Sequence, residues 1–173
     1  MTFNETMVRM GELAVSRDPG DTLVSLGLGS CIGLALVDPR SGIAGLAHVV
    51  LPESSGRDER VGRFADHAVP ALVEKLQRLG AVRPRLKAVL VGGASMFALG
   101  GTGLDVGPRN EAAVREQLEA LRISVVAAET GGSRGRTIRV DVETGRVTAR
   151  EAGGIEEELF AGMPVRVALG VAA

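Results

Sequence analysis

The chain holds a single cysteine and two histidines, and Cys31 and His48 are spaced for joint chemistry. Cys31 follows Gly27-Leu28-Gly29-Ser30 at the junction between two apolar runs. A thiol attacks only as thiolate, so it needs a base or a field of amide dipoles beside it. A glycine-rich turn supplies unobstructed amides, and the Cys31 N–H is a natural donor to an oxyanion formed on its own sulfur. Gly29 and Ser30 are the candidate supports of that turn. His48 lies in the second of two apolar strands, 32–37 and 43–51, joined by the turn signal Asp38-Pro39-Arg40-Ser41-Gly42. Antiparallel pairing across that turn brings Cys31 and His48 nearly opposite each other on one side of the hairpin. That is the arrangement of a nucleophile and its general base.

An imidazole acting as base is usually oriented by a third group. Ser25, six residues before the cysteine, offers a hydroxyl at the end of the preceding strand; Asp21 and Asp38 are alternatives by chemistry alone, Asp38 lying far along in the turn. Each residue also has a blander role. A lone cysteine is commonly an inert core thiol, and a lone histidine in an apolar strand is commonly structural. His67 falls on the polar side of a helix and reads as a surface residue. Gly92-Gly93 and Gly131-Gly132 read as tight turns. Gly101-Thr102-Gly103 lacks the lysine and hydroxyl of a phosphate loop, and one cysteine with two distant histidines makes no zinc site.

Composition narrows the function classes. Aromatic residues are 2% of the chain, without tryptophan or tyrosine, which removes the stacking platforms of single-strand nucleic-acid binders. The net charge of -1 provides no basic field for phosphate backbones or anionic lipid. No run approaches the roughly 20 apolar residues of a membrane span, the N-terminus shows no secretory pattern, and a lone cysteine fits a reducing compartment. The expectation is a cytoplasmic protein without membrane insertion, whose partners are proteins or small molecules.

The elements that must position the pair follow from periodicity. Strands are expected over 7–15, 22–26, 86–91, 123–128, 136–142 and 146–150, besides the central hairpin. Helices are expected near 66–79, with Pro70 at or near the first turn, and over 108–122, where Val114, Leu118 and Leu121 share a face. Residues 53–62 are polar and charged. The result is one α+β or layered α/β domain over 1–173, with its core at about 7–154 and a weakly patterned tail over 155–173.

Five ordered motifs carry a resemblance: Leu26-Gly27-Leu28-Gly29-Ser30-Cys31, Ala47-His48-Val49-Val50-Leu51-Pro52, Gly92-Gly93-Ala94-Ser95-Met96-Phe97, Gly107-Pro108-Arg109-Asn110 and Glu129-Thr130-Gly131-Gly132. Together they resemble the signature of the CheD chemoreceptor glutamine deamidases. The resemblance implies an α/β/α sandwich similar to bacterial deamidating toxins. It also implies conversion of selected glutamines on the cytoplasmic helices of chemoreceptors to glutamate through a thioester on Cys31, with glutamyl methyl-esterase activity in some members. It places the histidine on His48 and the third member on Ser25, where the family usually has threonine, and it requires no metal or organic cofactor. A phosphatase of the chemotaxis pathway is an implied partner. Two other readings are a thiol hydrolase of another protein and a non-catalytic adaptor for such a regulator.

Overall fold

Ten strands and two long helices are set out along residues 3–56, 60–96 and 105–163, the portions that the computed structural model describes. The chain opens with two short strands, β1 (Asn4–Met7) and β2 (Leu13–Ser16), followed by β3 (Asp21–Leu28). The sequence pattern reads 7–15 as one strand. Gly11, at φ 77°, instead breaks that run, and its two halves join different sheets. The expected hairpin follows as β4 (Ile32–Asp38) and β5 (Ile43–Val49), every residue of both strands being buried. Burial on both faces is why these runs are continuously apolar rather than alternating.

Helix α1 (Ala65–Leu79) buries Ala68, Val69, Leu72 and Leu76 along one stripe and ends on Gly80 in the left-handed conformation. Pro70 lies in its second turn, and the helix continues through it. A 3₁₀ turn over Arg83–Arg85 leads into β6 (Lys87–Gly92). Helix α2 (Val106–Ala120) leads to β7 (Ser124–Thr130), and β8 (Arg136–Asp141), β9 (Val147–Glu151) and β10 (Glu156–Phe160) complete the chain's described elements. The tail after Gly154 thus supplies β10, which pairs antiparallel with β9. Phe97 and the Gly100–Gly103 cluster lie outside the described residues.

The strands form two five-stranded sheets, ordered β1-β3-β8-β9-β10 and β2-β5-β4-β6-β7. One apolar layer, with Leu34, Leu36, Ala47, Leu72, Leu76, Leu90, Val114 and Leu118, glues both helices to one face of the second sheet. Another, with Leu23, Leu28, Ala35, Val37, Leu46, Val89, Ile138 and Val140, glues the two sheets together. Each fully buried leucine or isoleucine contributes about 1.5–3 kcal/mol. The mixed α/β layered domain expected from the sequence is what the chain forms. Its outer layers are the helix pair on one side and the first sheet on the other. His48 belongs to β5 and Cys31 immediately precedes β4, two strands whose inward side chains occupy the layer between the sheets.

Candidate active site

Cys31 sits in the bend between β3 and β4, and 8% of its surface remains exposed. The bend is held from behind by β6 and its continuation: Gly93 N–H donates to the Cys31 carbonyl at 2.9 Å, and Ala94 N–H donates to the Gly29 carbonyl at 2.8 Å. Gly92 makes this possible. A Cβ there would lie 2.2 Å from the Cys31 oxygen, and its φ of 114° is open mainly to glycine. Gly92-Gly93 is therefore the wall behind the cysteine rather than an ordinary turn.

In the β4–β5 ladder His48 pairs with Gly33, and the last regular pair is Ile32 with Val49. Cys31 therefore lies two residues beyond the position directly opposite His48. Residues two apart share a strand face, so the sulfur and the imidazole stay on the same side as diagonal neighbours. That side faces the other sheet, since a Cβ at Gly33 would meet the Leu28 and Ile138 side chains at 2.7 and 2.9 Å. The opposite sheet contributes Ser25, which shares the inward face of β3 with Leu23 and is fully buried. After Ser25 the ladder with β8 shifts register before Leu28, with Gly27 at φ 64° and Leu26 turned out to solvent.

Ser25 and His48 meet around one backbone atom. The Ser25 hydroxyl donates to the Val8 carbonyl at 2.8 Å, and His48 Nδ1 lies 3.3 Å from the same oxygen. A carbonyl can only accept, so this contact puts the neutral ring's proton on Nδ1. His48 Nε2 is then a bare lone pair, and it is buried without a hydrogen-bond partner. Burial pushes the His48 pKa below the ordinary histidine range, against the raising influence of the Val8 carbonyl and the Glu12 charge. Burial likewise pushes the Cys31 thiol up, while its own backbone amide lowers it. Both shifts favour the uncharged forms, a thiol and a neutral imidazole.

The aspartates stand elsewhere. Asp21 begins β3 and accepts from the Ser16 hydroxyl at 2.5 Å. Asp38 ends β4 at the far end from Cys31. Despite its burial, the Arg85 guanidinium at 2.8 Å, with the Val82 N–H and the Ser41 hydroxyl, holds its carboxyl below the usual range. His67 is exposed on α1. Among the described residues no group of three or more His, Cys, Asp or Glu side chains is arranged to hold a metal.

Residues given no role in the sequence reading complete the site. Val8 acts through its backbone and leaves no side-chain signal. Arg136, almost fully buried, donates to the Gly131 carbonyl at 2.7 Å and pairs with Glu129 and Glu151, binding the Glu129–Gly132 segment to the wall behind Cys31. Asn110 did leave a signal. It stands four residues before Val114 on the buried stripe of α2, a carboxamide where the pattern asks for an apolar side chain. Its Nδ2 donates to the Ser30 and Val50 carbonyls, both at 2.9 Å. All five sequence motifs thus converge on one place.

A family model described as CheD chemotactic sensory transduction matches residues 50–151. The chain belongs to the CheD family. It is 42% identical over 151 residues to the chemoreceptor glutamine deamidase CheD of Thermotoga maritima, covering 87% of this chain and 94% of that protein. It is 47% identical over 157 residues to a probable chemoreceptor glutamine deamidase CheD of Symbiobacterium thermophilum, covering 88% and 95%. A probable chemoreceptor glutamine deamidase CheD of Clostridium botulinum is 42% identical over 157 residues, covering 88% and 96%. These CheD proteins therefore align with this chain over almost their whole length. In this CheD chain the described residues include no helix long and apolar enough to cross a membrane.

Proposed function

We propose that this protein deamidates glutamine side chains of chemoreceptors, with Cys31 as nucleophile, His48 as acid and base, and Ser25 holding the imidazole's anchor. The observation that carries the reading is the bare, buried Nε2 of His48 on the same strand face as the Cys31 thiol. A buried nitrogen without a partner costs about 1–3 kcal/mol, a cost retained where the atom has a chemical task. The names of the relatives supply the substrate.

In this mechanism Nε2 takes the Sγ proton and the sulfur bonds to the carboxamide carbon. The Cys31 N–H donates to the resulting oxyanion, from the Gly29-Ser30 turn. Nε2–H then protonates the departing nitrogen, ammonia leaves, and a thioester remains on Sγ. Water, losing its proton to Nε2, adds to the thioester and releases glutamate and the thiol. The balance is glutamine plus water giving glutamate plus ammonium, with no redox step. A glutamyl methyl ester follows the same course with methanol leaving. The setting is the cytoplasm, where the receptor helices and a reduced thiol are found together.

The test is incubation of the purified protein with receptor cytoplasmic fragments, followed by ammonia assay and peptide mass spectrometry. Glutamine-to-glutamate conversion is expected, lost in Cys31→Ala and in His48→Ala. Undiminished conversion by Cys31→Ala overturns the assignment, and backbone cleavage in place of conversion identifies a protease.

A further inference from the structure

We infer that Asn110 is a positioning residue that aims the Cys31 amide at the developing oxyanion; this rests on the thioester reading above. Asn110 is fully buried on α2, and its NH2 group is divided between two carbonyls from separate segments, Ser30 and Val50. The first immediately precedes the nucleophile. The second lies just past the point where the β4–β5 ladder stops, its last regular pair being Ile32 with Val49. The carboxamide therefore takes over from the ladder and closes the open end of the hairpin where Cys31 sits.

Only the nitrogen of the carboxamide can serve both carbonyls, so the ring of contacts fixes which way Asn110 is turned. That orientation leaves its Oδ1 buried without a partner. A carboxamide held with an orphaned acceptor is not there for packing alone. The consequence for chemistry follows from the planar trans peptide, in which C=O and the next N–H point in opposite directions. Asn110 shares the buried stripe of α2 with Val114 and Leu118, which pack against the sheet. Drawing the Ser30 oxygen toward that stripe turns the Cys31 N–H toward the other side of the sheet, where His48 and the Cys31 sulfur lie. α2 can approach this closely because Gly107 lacks a side chain: a Cβ there would sit 2.4 Å from the Gly93 oxygen.

The decisive comparison is wild type against Asn110→Ala and the isosteric Asn110→Asp, which offers no donor to the two carbonyls. Each folded variant is expected to lose on the order of 100-fold in kcat for deamidation, the usual effect of losing one oxyanion donor. KM should stay within about twofold. The rate of iodoacetamide alkylation of Cys31 and its pH profile should be nearly unchanged, because alkylation needs the thiolate but no oxyanion donor. A purely structural role lowers the melting temperature and leaves kcat per folded molecule intact, which overturns the inference. So does an equal loss of alkylation and deamidation. Should neither variant fold, the wild type decides: in its thiohemiacetal with a peptide glutamic semialdehyde, the Cys31 amide proton should move downfield by NMR, and an unmoved resonance overturns the inference. Failure of the wild type to release ammonia, or activity in Cys31→Ala, defeats the deamidase reading instead and is told apart by those controls.

Discussion

Ser25 and His48 never need to touch, because both hold the carbonyl oxygen of Val8, at 2.8 and 3.3 Å. The hydroxyl comes from one sheet and the imidazole from the other, and a backbone atom just past the end of β1 joins them. The serine hydroxyl thus reaches the imidazole only through the backbone atom that fixes the ring's tautomer.

Ser25→Ala should therefore weaken catalysis without abolishing it. Loss of the hydroxyl removes a buried hydrogen bond, about 1 kcal/mol of stability. The less restrained imidazole should forfeit at least tenfold of the about 10²–10⁴ that a positioned acid-base group supplies. Ser25→Thr keeps the hydroxyl and should keep activity. Steady-state kcat with thermal melts of all three proteins checks this; unchanged kcat in Ser25→Ala would separate the serine from the site.

The two burial-shifted groups set opposite limits on pH. His48 must be neutral to accept the thiol proton, and its pKa is depressed, so kcat/KM should hold to more acidic pH than a free histidine allows before it falls. Cys31 is raised, so in His48→Ala, where no base assists, iodoacetamide labelling should climb only at more alkaline pH than for an exposed cysteine. The same His48 shift makes the folded state bind its proton less readily than the unfolded chain. Stability should accordingly decline as pH drops below the ordinary histidine range, and His48→Gln should remove that part of the decline. Rate and melting profiles across pH measure both; labelling in His48→Ala that is already complete at neutral pH would contradict the neutral-thiol resting state.

Gly33 and Gly92 should fail in different ways. A methyl at Gly33 would press on Leu28 and Ile138 between the sheets, an overpacking cost of about 1–3 kcal/mol, with the catalytic groups still in place in the folded fraction. A methyl at Gly92 would strike the Cys31 carbonyl itself at a positive φ, so Gly92→Ala should lose stability and, unlike Gly33→Ala, activity in the folded fraction as well. Chemical denaturation beside kcat per folded molecule distinguishes them, and equal activity losses would refute the contrast.

The central hairpin and both helices were legible because each is a local pattern: a turn signal between apolar runs, or an apolar stripe at helical spacing. The Cys31–His48 pair was legible for the same reason, since both residues flank one turn. Its register was not. The sequence reading set Cys31 nearly opposite His48, whereas Gly33 takes that place. The side-chain period of two preserves the shared face across a two-residue offset, so the expected common side outlasts the difference. The run 7–15 misled because its apolar residues continue through a turn: only Met7 and residues 13–15 are strand, and Gly11 marks where the chain changes sheets.

Composition and spacing by themselves determined the strand-rich layered domain, the candidate nucleophile and its base, and the glycine turn that bears them. Packing decided the rest: which carbonyl Ser25 and His48 share, what stands behind Gly92, and why a carboxamide occupies the buried stripe of α2. Those contacts join segments up to 80 residues apart, as between Asn110 and Ser30. No local periodicity encodes a hydrogen bond to a distant backbone oxygen, because the acceptor is the same atom in every residue.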